Sequence, residues 1–169
     1  MKYALALFLL ATACAVGKAE VPTNARVSNP GGYCCWACLE TLGRMNDIPE
    51  LFDLLKDRKS DPDDYFLDLR NFKYVPIPKN IGDERSLRKK LKSLHIKHEM
   101  QHTGDFDRRL LGNANQQGVL VTVEDHGIVL TRYSEDEVEY YDPNDGKMHI
   151  KSNGWFHEKW TGMVISLQK

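Results

Sequence analysis

The chain has 169 residues, with 23 Lys and Arg against 24 Asp and Glu and a formal charge of −1 at neutral pH. That balance implies no polyanion as partner, and nothing in the sequence resembles a basic nucleic-acid face. The length builds one domain with a sizeable core and is too short for two ordinary ones.

Residues 1–19 read as a signal peptide. Lys2 supplies the positive start, and the apolar run Ala4–Val16 falls short of the ~20 residues a membrane span needs. Small residues at Ala11-Thr12-Ala13 and Gly17-Lys18-Ala19 suit a cleavage site, and cleavage after Ala19 is expected. The product is an exported single domain, residues 20–169, without an integral membrane span. Lipid anchoring through Cys14 is the alternative, although Ala11 stands where such a site expects Leu. After processing, Cys34, Cys35 and Cys38 remain. An odd, clustered set argues against a disulfide framework, and two points on one rigid helical turn are poorly placed for a bridge.

Val21 to Pro30 is a polar approach without a clear period. A helix is predicted from Cys34 to Met45, with Ala37, Cys38, Leu42 and Met45 at helical spacing. Asp47 is placed to cap a second helix, with Pro49 in its first turn and Leu51, Phe52, Leu54 and Leu55 as its apolar side. Asp57 to Asp64 is a charged, proline-broken loop, and Tyr65 to Leu69 a short helical turn. Tyr74 to Pro78 is extended, because each proline pushes its predecessor out of helix geometry. Asp83 caps a basic amphipathic helix through Leu87, Leu91 and Leu94. His95 to Gln101 alternates as an edge strand, and Phe106 to Asn113 is a further helix.

From Gly118 the apolar period becomes two. Val119–Val123, Gly127–Tyr133, Val138–Tyr141, Met148–Ile150 and Met163–Leu167 are predicted as successive strands of one antiparallel sheet. Asp145-Gly146 signals a hairpin turn, and Trp155 to Trp160 is a helical insert. Helices first and sheet second predict an α+β domain, with N-terminal helices packed on a C-terminal antiparallel sheet.

The chemistry concentrates in Asn29-Pro30-Gly31-Gly32-Tyr33-Cys34-Cys35-Trp36-Ala37-Cys38-Leu39. A thiol at a helix start meets unpaired N–H groups and the positive end of the helix dipole, which favour thiolate. Of six histidines, His95, His98, His102, His149 and His157 lie in polar surroundings. His126 instead opens a strand, directly after the turn Glu124-Asp125. Asp142, 16 residues on, ends the next strand. A hairpin through Ser134-Glu135-Asp136 brings these two strand ends side by side, so the Asp142 carboxylate can accept the imidazole N–H and fix its tautomer. A thiol beside such a histidine is an activated nucleophile, the histidine acting first as base and then as acid. Zinc is the competing use of three cysteines, but Cys-Cys-x-x-Cys lacks a second ligand pair at usable spacing. Inert core packing of the thiols, away from His126, is the purely structural reading.

Gly-Tyr-Cys-Cys-Trp-Ala-Cys-Leu, then His-Gly-Ile-Val-Leu, Asp-Pro and finally Trp160-Thr161-Gly162 resemble a papain-like cysteine peptidase. Within that group the chain is most similar to the leader-peptidase domains of bacteriocin exporters and their stand-alone relatives. The shared features are the order Cys, His, Asp, the His–Asp step and the Trp-x-Gly before the last strand, and they cover about Asn29 to Leu167. In the leader-peptidase pattern a small residue follows the nucleophile by three and an apolar one by five; Ala37 and Leu39 then select Cys34. In the papain pattern Trp and Ala follow directly, which selects Cys35. The family's oxyanion-stabilising glutamine, about six residues before the nucleophile, is absent. Ser28 or Asn29 stands there, and Asn29 supplies a shorter amide.

The resemblance implies a secreted cysteine peptidase that hydrolyses a peptide or protein substrate through a thioester. Cys34 would be the nucleophile, His126 the base and acid, and Asp142 the orienting carboxylate. It also suggests cleavage after small residues such as Gly-Gly, and it implies no metal or cofactor. Two other readings share the same residues: an amide transferase with this triad, and a non-catalytic peptidase-like binding domain, motivated by the missing glutamine.

Overall fold

The structure, a computed structural model, describes residues 19–29, 32–58, 65–68, 73–76, 79–101 and 108–168. Residues 1–18 of the expected signal segment and Phe106 lie outside the described residues, as does most of the expected loop from Asp57 to Asp64; Ala19 is described and buried. The elements in chain order are helix α1 (Cys34–Met45), α2 (Leu54–Arg58), strands β1 (Tyr65–Asp68) and β2 (Lys73–Pro76), and α3 (Lys79–Ser93). There follow β3 (His98–Gln101), α4 (Arg108–Gly112), α5 (Ala114–Gln117), β4 (Val119–Val123), β5 (His126–Tyr133), β6 (Glu137–Asp142), β7 (Lys147–Ser152), α6 (Asn153–Lys159) and β8 (Trp160–Leu167).

One antiparallel sheet of six strands runs in the order β3-β8-β4-β5-β6-β7, and β1 pairs with β2 separately. The class is α+β, as the element order predicts. The strands are not laid down in succession, however: β8 returns between β3 and β4. All five residues of β4 are buried, as suits a central strand covered on both sides. The two-residue period divides them. Leu120, Val129 and Ile165 face α1 in one core cluster with Leu39, Leu42 and Tyr141. Val119, Val121, Ile128, Leu130 and Val164 pack with Leu111, Ala114 and Phe156 in the other.

Residues Cys34–Gly43 of α1 are all buried, so the helix that carries the thiols is the central one. Its buried Glu40 receives Arg44 Nη2 at 2.6 Å and the Leu55 N–H at 3.1 Å, tying α1 to α2. The approach segment is fastened too. Val21 and Ala25 are buried, the Val27 N–H donates to Thr41 Oγ1 at 3.3 Å, and the Tyr141 hydroxyl donates to the Val27 carbonyl at 3.2 Å.

Four expectations need correction. The helix expected after Asp47 is split into a 3-10 turn at Pro49–Leu51 and α2, because Asp47 and Asp53 take left-handed backbone angles of φ 53° and 62°; Phe52 between them is 39 % exposed. Tyr65–Asp68 is a strand rather than a helical turn, since extended Lys73–Pro76 offers it a pairing edge. α3 starts at Lys79, so Asp83 lies inside the helix and is not its cap. β3 begins at His98 instead of His95, where φ is 56°. Among the described residues no helix is long and apolar enough to cross a membrane.

Candidate active site

Cys34 is the first residue of α1, with Tyr33 before it in a non-helical conformation. The start of β5 lies against this helix end. The Gly127 N–H donates to Cys34 Sγ at 3.3 Å, and a Cβ built on Gly127 would come within 2.8 Å of Cys35 Sγ and 3.1 Å of the Cys35 Cα and N. Only glycine allows so close an approach of strand to helix. It sets His126, one residue earlier, beside the thiol.

His126 Nε2 meets Asp142 Oδ1 at 2.7 Å, with both side chains about one-fifth exposed. The ring stands near enough to the Cys34 sulfur for each to shift the other's titration. Asp142 Oδ1 accepts the Asn144 N–H as well, at 2.8 Å. The structure therefore brings Cys34, His126 and Asp142 together in the chain order expected. Cys35 does not join them in the cleft; it is buried beneath Gly127. Cys38 is fully buried.

The electrostatics separate the three groups. The Cys34 thiol falls from the ordinary 9.0 to about 4, because hydrogen bonds from Cys35, from His126 and from the Gly127 N–H, with the nearby imidazolium charge, outweigh a burial that acts the other way. Burial by itself would lower His126, but its hydrogen bonds to Cys34 and Asp142 and their negative charges win and raise it above 6.5. Burial pushes Cys38 well above the usual thiol range, which leaves it inert. Between these limits the favoured state is a thiolate facing an imidazolium.

Asn29 sits at the rim. Its N–H donates to the Pro143 carbonyl at 2.8 Å, its Oδ1 accepts the Tyr33 N–H at 3.0 Å, and its Nδ2 donates to Asn144 Oδ1 at 2.6 Å. The cleft, about 370 Å³, is lined by Asn29, Gly32, Cys34, Glu124, Asp125, His126 and Asn144. None of these is a bulky apolar residue. A larger cavity of about 840 Å³ lies between α3, β3 and α4, but no thiol lines it, so the chemistry belongs to the smaller cleft. Asp142, Asp145 and His149 offer ligand atoms within 4.8 Å of one another. His149 already pairs with Asp145 at 2.9 Å, and Asp142 with His126, so ion pairing accounts for the cluster.

Two residues of the site have roles that the sequence does not reveal. Gly127 stands in the His-Gly-Ile-Val-Leu motif, but its close approach to Cys35 is a matter of packing. Asn144 follows Asp142-Pro143 in the hairpin loop, and a residue two beyond the carboxylate carries no signal until the register is known.

No family model matches the chain, and no curated protein matches it. Among solved structures it is similar to a double-glycine motif protease from an AMS/PCAT transporter, crystallised in complex with a leader peptide. The two share 13% sequence identity with a TM-score of 0.57, over 89% of this chain and 93% of that one. That likeness establishes the fold, which is the papain-like peptidase fold.

Proposed function

We propose that the protein is a cysteine peptidase, with Cys34 as nucleophile, His126 as general base and acid, and Asp142 as the orienting carboxylate. One observation carries this reading: a thiol depressed to about 4 at a helix start, beside an imidazole whose far nitrogen lies 2.7 Å from a carboxylate. An inert core cysteine is raised by burial, as Cys38 is; Cys34 is shifted the opposite way.

In the first step the Cys34 thiolate forms a C–S bond to the scissile carbonyl carbon, and the C=O π pair moves to oxygen. The pair returns as the C–N bond breaks, and the His126 imidazolium protonates the departing amine. Neutral His126 then takes a proton from water, whose oxygen attacks the thioester. The acid leaves and Cys34 is restored as thiolate. Asp142 holds Nε2–H throughout, so that Nδ1 faces the sulfur.

The substrate proposed is an extended peptide with small residues at the scissile bond, such as Gly-Gly. Support comes from the leader-peptidase resemblance, the double-glycine motif protease of like fold and a cleft in which none of the described lining residues is bulky and apolar. We further propose export of the chain with residues 1–19 removed, on the strength of Lys2 and the apolar run after it; an intact mass beginning at Glu20 in the exported fraction tests this.

The deciding experiment is cleavage of a Gly-Gly-containing peptide library by the wild type, Cys34→Ala and Cys35→Ala, with an added amine as competing acceptor. The peptidase reading expects hydrolysis that vanishes in Cys34→Ala and survives in Cys35→Ala. Preferential capture of the acyl group by the amine would make the protein a transferase. No turnover, with a thiol no more reactive than free cysteine, would leave a binding domain.

A further inference from the structure

We propose that Asn144 is a further catalytic residue, whose side-chain amide donates to the oxyanion formed on Cys34, and that Asn29 is the positioning residue that turns this amide toward the reacting atoms. The inference rests on the peptidase reading above and goes beyond it, because the family-based expectation places the donor at Asn29.

The orientation follows from one backbone group. The Tyr33 N–H can only donate, and it points at Asn29 Oδ1 at 3.0 Å. That fixes the Asn29 amide with its Nδ2 outward, where it donates to Asn144 Oδ1 at 2.6 Å. Asn144 is thereby fixed in turn, with its oxygen toward Asn29 and its NH2 toward the cleft, 3.4 Å from His126 Nδ1. The chain of donors and acceptors decides both amides, which is the proper basis for assigning Asn orientation. In the thiolate–imidazolium state Nδ1 carries a proton, so at 3.4 Å the Asn144 NH2 meets another donor and makes no hydrogen bond to the ring, which leaves it available to an acceptor formed beside the base. The backbone is held as well, through the Asn144 N–H to Asp142 Oδ1 at 2.8 Å.

The end of β6 explains the placement. Val129 faces Tyr141 and Leu130 faces Tyr140 across β5 and β6. β6 ends at Asp142, and the turn beyond it brings the Asn144 N–H back to Asp142 Oδ1, which places residue 144 beside His126. The two side chains therefore reach the histidine from the end of β6 and the turn after it, Asp142 at Nε2 and Asn144 on the side of Nδ1. As the C–S bond forms and the π pair moves to oxygen, that oxygen gains a full negative charge within the cleft that Cys34 and Asn144 both line. A prealigned N–H donor there is worth about 10²- to 10³-fold in kcat.

The test uses N-acetyl-glycyl-glycinal, 13C-labelled at the aldehyde, whose addition to the thiol makes a hemithioacetal with the same tetrahedral oxygen. Its affinity is measured for wild type, Asn144→Ala, Asn29→Asp and the double variant, alongside the pH profile of iodoacetamide alkylation. Asn144→Ala should weaken aldehyde binding about 10²- to 10³-fold and leave the alkylation profile in place. Asn29→Asp keeps an acceptor for the Tyr33 N–H but draws the Asn144 NH2 back toward itself. It should weaken binding too, and the double variant should show little additional loss. Wild-type aldehyde affinity in Asn144→Ala would overturn the proposal. So would a loss that accompanies a shifted alkylation profile, because Asn144 would then act only by placing His126. Failure of the wild type itself to form a hemithioacetal would instead overturn the peptidase reading, and the role of Asn144 with it.

Discussion

Replacing Gly127 with alanine should loosen the site without touching any of its reacting groups. The added Cβ would stand 2.8 Å from Cys35 Sγ and 3.1 Å from the Cys35 Cα and N. The sulfur could rotate away, but the two backbone atoms belong to the first turn of the central helix and cannot. Overpacking of this kind costs about 1–3 kcal/mol, and backbone opposition puts the expectation in the upper half, about 2–3 kcal/mol. The strand must recede from α1 by several tenths of an ångström, stretching the Gly127 N–H to Cys34 Sγ bond, now 3.3 Å, and moving His126 off the thiol. A displacement approaching 1 Å costs about 10²-fold in rate. Urea unfolding measures the first effect and iodoacetamide alkylation across pH the second, with the acid limb expected to move up from about 4. Cys35→Ala added to Gly127→Ala should recover part of the stability, since it removes the sulfur contact and leaves the backbone ones. Unchanged stability and alkylation in Gly127→Ala would refute the close packing of β5 on α1 and the account of the site built upon it.

The pH dependence has a definite sign. As pH falls through about 4, Cys34 is protonated and the nucleophile is lost; as pH rises through the elevated His126 value, the imidazolium that protonates the leaving amine is lost. The kcat/KM profile should therefore be bell-shaped, with its alkaline limb above 6.5; an acid limb near the free-thiol value would contradict it. Cys35→Ala, which deletes the largest of the influences lowering Cys34, should move the acid limb upward in the same assay. Asp142→Asn should lower kcat by about 10²- to 10⁴-fold while iodoacetamide still labels Cys34; wild-type turnover would remove Asp142 from the mechanism. Glu40→Ala strands the Leu55 N–H and releases Arg44, at a cost of about 2–3 kcal/mol read by urea unfolding, and it should leave the Cys34 alkylation profile unmoved.

Local pattern carried much of this molecule. The bounds of α1 and β4 follow from helical and two-residue spacing, since a buried face imposes its period on the chain. The nearness of His126 and Asp142 follows from hairpin connection alone, because two strands joined by a short turn must bring those ends together. Elements whose form depends on a distant partner were not legible. Tyr65–Asp68 is extended because β2 pairs with it, and β8 lies between β3 and β4, a choice that no local signal records.

The sequence by itself determined that a thiol stands at a helix start and a histidine and a carboxylate at the mouth of one hairpin. It did not determine which thiol. Cys34 and Cys35 differ by one step, about a quarter-turn of helix, and only the docking of Gly127 onto α1 turns the first into the cleft and the second beneath the strand. The same holds for Asn144. It comes beside His126 because β6 ends at Asp142 and the turn beyond folds its N–H back onto the Asp142 carboxylate. Periodicity reports which face of an element is buried. Contacts between elements, decided by packing at the scale of one atom or one residue of register, report which side chains meet.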